Sequence, residues 1–249
     1  MPSPTVTASM IENARTNITE DGLVANRFVY FDDFIEGGYN PEDSSGKFSE
    51  TAGDSPWLVL KVDAATDNNE VIAISDTAVG GVLTLTTTNA DNDGLSLQLE
   101  GNSFAVTANK NITYECRFRV TNVEECDWFV GLATTDVTGT TPVLAGVNDS
   151  IGFRCPDSTG DIDYVVEDDT SETTADSTKD LANATFVVVR FEVKGTTSVQ
   201  FWIDGVAIAT VTTNLPDTDA MLTPTLEIRN DGAAANTIEI DYLLVAQDR

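Results

Sequence analysis

The chain has 249 residues, 41 acidic against 13 basic and no histidine, giving a formal net charge of -28 at pH 7. That charge excludes nucleic acid and anionic membrane as natural partners, since both need a cationic footprint. The missing histidine removes the usual general base for a serine or cysteine nucleophile.

No apolar stretch approaches the roughly 18 residues of a membrane span. Cys116, Cys126 and Cys155 are odd in number and lack CxxC spacing, so neither a disulfide framework nor a zinc site is expected. Neither a cofactor nor a metal is expected. Residues 1–26 carry Pro2 and Pro4 and scattered apolar residues without strand alternation, and allow a short helix from Ser9 to Arg15. They lack a basic n-region and an apolar h-region, so no secretory signal is expected. The segment reads as an extended arm held by a partner or neighbouring subunit, followed by one domain over residues 27–249.

The first strand is RFVYFDDFI from Arg27, with Phe28, Tyr30 and Phe34 on one face and Val29 and Phe31 on the other. A Gly-, Ser- and Asp-rich stretch over 37–54 reads as a loop. Short strands follow at Trp57–Val62 and Val71–Ile74, then at VLTLTTT and LSLQLE, which are joined by the turn Asp91-Asn92-Asp93-Gly94. In ITYECRFRV, Ile112, Tyr114, Cys116, Phe118 and Val120 alternate cleanly with polar residues, which makes Cys116 a core thiol. WFVGLAT, SIGFRC and the strand Ile162–Val166 come next, and DDTSETTADSTKDLAN reads as a polar loop.

From Val187 the pattern is strongest. Val187, Val189, Phe191 and Val193 alternate with polar residues, Gly195-Thr196-Thr197 turns the chain, and Val199, Phe201 and Ile203 continue. Asp204-Gly205 then predicts a type I′ hairpin, because both central residues need positive φ. TPTLEIRN and TIEIDYLLVAQ close the chain. Many short strands with close turns and no convincing long helix predict an all-β, two-sheet antiparallel sandwich.

The segments YFDDF, WFVGLATTD, IGF, VVVRFEVKGTTSVQFWIDGVAIATV and IEIDYLLVAQ, in that order, resemble the concanavalin A-like jelly-roll domain, especially the versions found in tailed-phage virion proteins. The resemblance spans residues 27–249. It implies that RFVYFDD pairs with EIDYLLV.

It also offers three functions. Glucanase-type members carry an acid-x-Asp-x-acid run on one strand. Here Glu239-Ile240-Asp241 ends at Leu243 and Asp161-Ile162-Asp163 ends at Val165, so these read as outward strand acids and the chain as no enzyme. A glycan-binding module for host attachment would use exposed aromatics among Trp57, Trp128 and Trp202, and calcium at Asp91–Asp93. Packing tryptophans and an Asx turn are the expectation for these residues. The reading that remains is a capsid decoration or cement protein, made in the host cytoplasm and placed on the outer capsid surface of a virion. It would be a homotrimer bound to the major capsid protein, with Val6, Ile11, Ile18 and Leu23 of the arm as contact residues.

Overall fold

A computed structural model describes residues 27–34, 57–62, 70–75, 81–99, 101, 104–134, 144, 149–156 and 158–249. The arm residues Val6, Ile11, Ile18 and Leu23, and the helix expected at Ser9–Arg15, lie outside the described residues, as does the 37–54 loop. None of the described residues is helical. The strands are β1 (Arg27–Asp32), β2 (Trp57–Val62), β3 (Val71–Ile74), β4 (Leu83–Thr86) and β5 (Gly94–Leu99). They continue as β6 (Asn111–Val120), β7 (Cys126–Thr134), β8 (Ser150–Cys155), β9 (Asp161–Asp168) and β10 (Ser171–Asp180). The last five are β11 (Val187–Lys194), β12 (Ser198–Ile203), β13 (Val206–Val211), β14 (Leu222–Asn230) and β15 (Thr237–Asp248).

They form two antiparallel sheets. The larger runs β13-β12-β11-β6-β15-β4-β3, with β1 also paired to β15. The smaller runs β10-β9-β8-β7-β14-β5-β2. β15 is long enough to serve two neighbours on one side, β4 along Thr237–Ile240 and β1 along Leu243–Asp248. The expected pairing of first and last strands is therefore present, in the register Arg27 to Asp248 and Asp32 to Leu243.

Period-2 alternation puts one set of side chains from each sheet into a shared interior. Cys116, Phe118, Trp128, Phe153, Phe191 and Phe201 are fully buried there. Tyr114 stacks on Phe191 at 4.8 Å between centroids, and Phe118 packs on Trp128 at 4.9 Å. β1 follows its expected faces in its contacts: Phe28, although exposed, meets Phe104, and Tyr30 meets Trp57, while Val29 and Phe31 point to solvent. Asp204 and Gly205 both take positive φ, 47° and 78°, as the hairpin demands.

One expectation needs correction. The stretch read as a polar loop holds β10, an edge strand hydrogen-bonded to β9 from Ser171 to Asp180 with one register shift. Its residues are mostly exposed, so neither face offers the hydrophobic alternation by which a strand is recognised. An edge strand with charged side chains also avoids pairing with other chains.

Candidate functional site

The solvent-side face of the smaller sheet is unlike an ordinary outer face. From β7 it receives Asp127, Phe129, Gly131 and Ala133, the residues that alternate with the core residues Cys126, Trp128, Val130 and Leu132. Gly131 sits directly opposite Gly152 of β8. The two glycines leave room for the Phe129 ring. A Cβ on Gly131 would lie 2.7 Å from Phe129 Cζ, and one on Gly152 would lie 2.7 Å from Phe129 Cε2. Phe129, Ala133 and Val165 form a second small apolar cluster, with Leu144 packed against it from outside the sheet.

Beside this cluster runs a seam of buried polar side chains. Glu227 of β14, opposite Phe129, accepts from Ser96 Oγ at 3.1 Å and from the Leu144 backbone N–H at 3.0 Å. Gln98 donates to Thr225 Oγ1 at 3.0 Å. Asp127 receives Arg229 and, at 3.0 Å, the Ser158 hydroxyl. Burial pushes the Asp127 carboxyl above its ordinary range, and the Arg229 hydrogen bond and charge pull it partly back. Every one of these groups is satisfied inside the protein. This half is covered and structural.

The other half, over β8, β9 and β10, opens toward the edge strand: Ser150, Val165 and Glu167 are buried, whereas Glu172 is exposed. Glu167 of β9 and Glu172 of β10 stand directly opposite each other. Side chains so placed have Cβ atoms about 4.5–5.5 Å apart, and like charges there destabilise the sheet. Arg154 of β8 grips Glu172 through both terminal nitrogens, at 2.7 and 2.6 Å. Ser150 Oγ donates to Glu167 at 3.3 Å. Burial, and next the charge of Glu172, push the Glu167 carboxyl up to about 6. Asp149, before β8, is also raised by burial, although the Asp217 backbone N–H donates to it at 3.1 Å. The result is a carboxyl that takes a proton near pH 6 facing a carboxylate clamped by arginine. Such a pair can accept hydrogen bonds from hydroxyl groups, and one member can pass a proton.

The residues singled out in the sequence fall in other places. Glu239 and Asp241 lie on the outer face of the larger sheet, ion-paired to Arg119 and Arg117. Asp161 and Asp163 do share a face with Glu167, since the alternation resumes one step past Val165. That step is the signal the sequence reading stopped short of. Glu172 was hidden in the segment read as a loop. Of the Asp91–Asp93 turn, Asp93 is fully buried, receives the Thr88 hydroxyl and donates its backbone N–H to Ala90 O at 3.3 Å, as an Asx-rich turn does. Trp57 and Trp128 are core residues, whereas Trp202 lies on the outer face of the larger sheet with Arg190 over its ring at 5.2 Å.

No protein-family model and no curated protein matches the sequence. Solved structures do match. A protein of unknown function from Shewanella oneidensis MR-1 superimposes with a TM-score of 0.59 at 14% identity, covering 99% of this chain and 96% of its own. An endo-1,3-beta-glucanase from Streptomyces sioyaensis gives 0.56 at 13% identity over 92% and 99%. The carbohydrate recognition domain of Emp46p gives 0.55 at 11% over 84% and 97%. The fold is the concanavalin A-like jelly roll. Apart from the Shewanella protein, these neighbours are carbohydrate-binding or glycan-active proteins, and the presence of glucanases and a lyase among the matches overturns the expectation that the chain is no enzyme. That expectation weighed two short acidic runs and not Glu167 and Glu172, which stand opposite each other only through strand pairing.

Proposed function

We propose that this jelly roll binds a glycan across the open half of the smaller sheet's outer face, with Glu167, Glu172 and Arg154 as its polar contacts. The observation that carries the reading is the Glu167–Glu172 pair. Two carboxylates directly opposite on a sheet repel each other, Arg154 and Ser150 hold them in place, and a carboxyl perturbed in this way supports a ligand site. Sugar hydroxyls are neutral donors and acceptors, so an acidic protein does not repel them. The test is affinity electrophoresis of the full chain through gels containing soluble 1,3-beta-glucan or mixed-linkage 1,3-1,4-beta-glucan, the substrates named for two neighbours. Retardation lost in E172A supports the reading, and free migration in both polymers and in other neutral glycans defeats it.

A second reading, cleavage of the bound glycan, is favoured by the Glu167 carboxyl at about 6 beside the arginine-held Glu172. Retaining glycosidases use carboxyl groups about 5–5.5 Å apart, one as acid and one as nucleophile. Release of reducing ends from the same polymers, abolished in both E167Q and E172Q, would establish it. Placement on a virion, as capsid decoration or as a host-attachment part, rests on the resemblance of the segment order alone. Saturable binding to undecorated capsids, lost when residues 1–26 are removed, would support the decoration role, and absence of binding would defeat it.

A further inference from the structure

The outer face of the larger sheet has a composition opposite to that of the whole protein. Across β11, β6, β15 and β1 it carries four arginine–carboxylate pairs: Arg190–Glu192, Arg117–Asp241, Arg119–Glu239 and Arg27–Asp248. With Lys194 and Glu115, cations equal anions on this face among the described residues of these strands, in a chain of net charge -28. Among the described residues the smaller sheet's outer face is acidic by contrast, with Arg154 and Arg229 set against Asp127, Asp161, Asp163, Glu167, Glu172 and Glu227.

Aromatic side chains lie among these pairs. The Arg117 and Arg119 guanidinium groups sit over the Phe186 ring at 4.1 and 4.6 Å. Arg190 covers Trp202, and Tyr242 donates to Glu115 at 2.6 Å and packs on Phe31 at 6.3 Å. Arginine with tryptophan, tyrosine and phenylalanine, and little lysine, is the composition that distinguishes protein–protein interfaces from other surface. The arginines occupy the ring faces that a sugar would stack on, which disfavours a glycan. Phe31 and Val29 extend the patch as exposed apolar residues, 49% and 37% accessible.

We infer that this face is the interface with a second copy of the same chain, related by a two-fold axis. Two copies of so acidic a protein repel wherever else they touch, because screening at physiological salt acts only beyond about 8 Å. A two-fold contact brings each patch against itself and therefore requires self-complementary charge. Alternating arginine and carboxylate at equal numbers meets that requirement. The size also suffices. Five strand lanes about 4.8 Å apart and about eight residues long present roughly 650 Å² in projection, close to the roughly 800 Å² per partner of a stable complex.

The test is sedimentation velocity of the full chain from about 1 to 100 µM, with F31E on the patch and M221E, an exposed residue outside it, as control. Both substitutions replace exposed side chains, and circular dichroism checks that each variant is folded. A wild-type dimer that persists in M221E and weakens at least tenfold in F31E is the expected result. A wild-type monomer throughout, a trimer, or equal loss in both variants overturns the inference. So does glycan binding that F31E abolishes in a monomeric protein. The experiment is independent of the glycan site, which lies on the other sheet.

Discussion

Replacing Gly131 by alanine tests the close approach of β7 and β8 beneath the candidate site. The new methyl group would meet the Ile151 carbonyl oxygen, the Gly152 Cα at 2.7 Å and Phe129 Cζ at 2.7 Å. Two of these three are backbone atoms of a paired strand, so relief requires the strands to part rather than one side chain to swing. Overpacking typically costs about 1–3 kcal/mol, and the rigid partners put this case at about 3 kcal/mol. For a chain of this size that corresponds to a fall of about 6–12 °C in Tm. Gly205→Ala is the control. Nothing lies within 4 Å of its Cβ, but its φ of 78° still costs about 1–2 kcal/mol. Urea unfolding followed by tryptophan fluorescence would measure both. A G131A variant as stable as wild type would refute the packing of Phe129 over the glycine pair, and with it the covered half of the smaller sheet's outer face.

The Glu167 carboxyl binds its proton more tightly in the folded chain, at about 6 against an ordinary 4.5. The folded-state penalty is therefore absent below about 4.5, grows as pH rises through 6 and is full above it. E167Q should gain on wild type by on the order of 1 kcal/mol between pH 4.5 and 6.5, with partial exposure held to reduce the effect; a constant difference in urea stability across that range would contradict the assignment. Cys116, Cys126 and Cys155 are buried, and burial holds the Cys116 and Cys126 thiols well above the ordinary range. A thiol reagent should therefore titrate all three only after unfolding, whereas rapid labelling of the native chain would show that the sandwich opens.

Much of the fold was legible in the sequence because alternation and turn chemistry are local. β6, β11 and β12 bury every second residue, and Asp204-Gly205 fixes its hairpin through two positive φ values. The pairing of β1 with β15 came from the resemblance in segment order, since no local rule specifies so distant a partner, and its register, Arg27 to Asp248, did not. β10 was missed because an edge strand solvated on both faces has no hydrophobic period to show. The candidate site was missed for a related reason. Glu167 and Glu172 flank a turn in sequence, but their significance lies in a register that sets them face to face, and in Arg154 on a third strand. The buried Asp127 and Glu227 likewise look like surface acids until β14 is paired with β7.

The central claim is that the open half of the smaller sheet's outer face binds a glycan through Glu167 and Glu172. Calorimetric titration of wild type and of the E167Q/E172Q double variant with soluble mixed-linkage glucan and 1,3-beta-glucan oligosaccharides addresses it most directly. The account predicts saturable binding by wild type to at least one of them, weakened at least tenfold in the double variant while its Tm is unchanged or raised. Binding of equal strength in both proteins would place the glycan elsewhere, and no heat with either ligand would contradict the account.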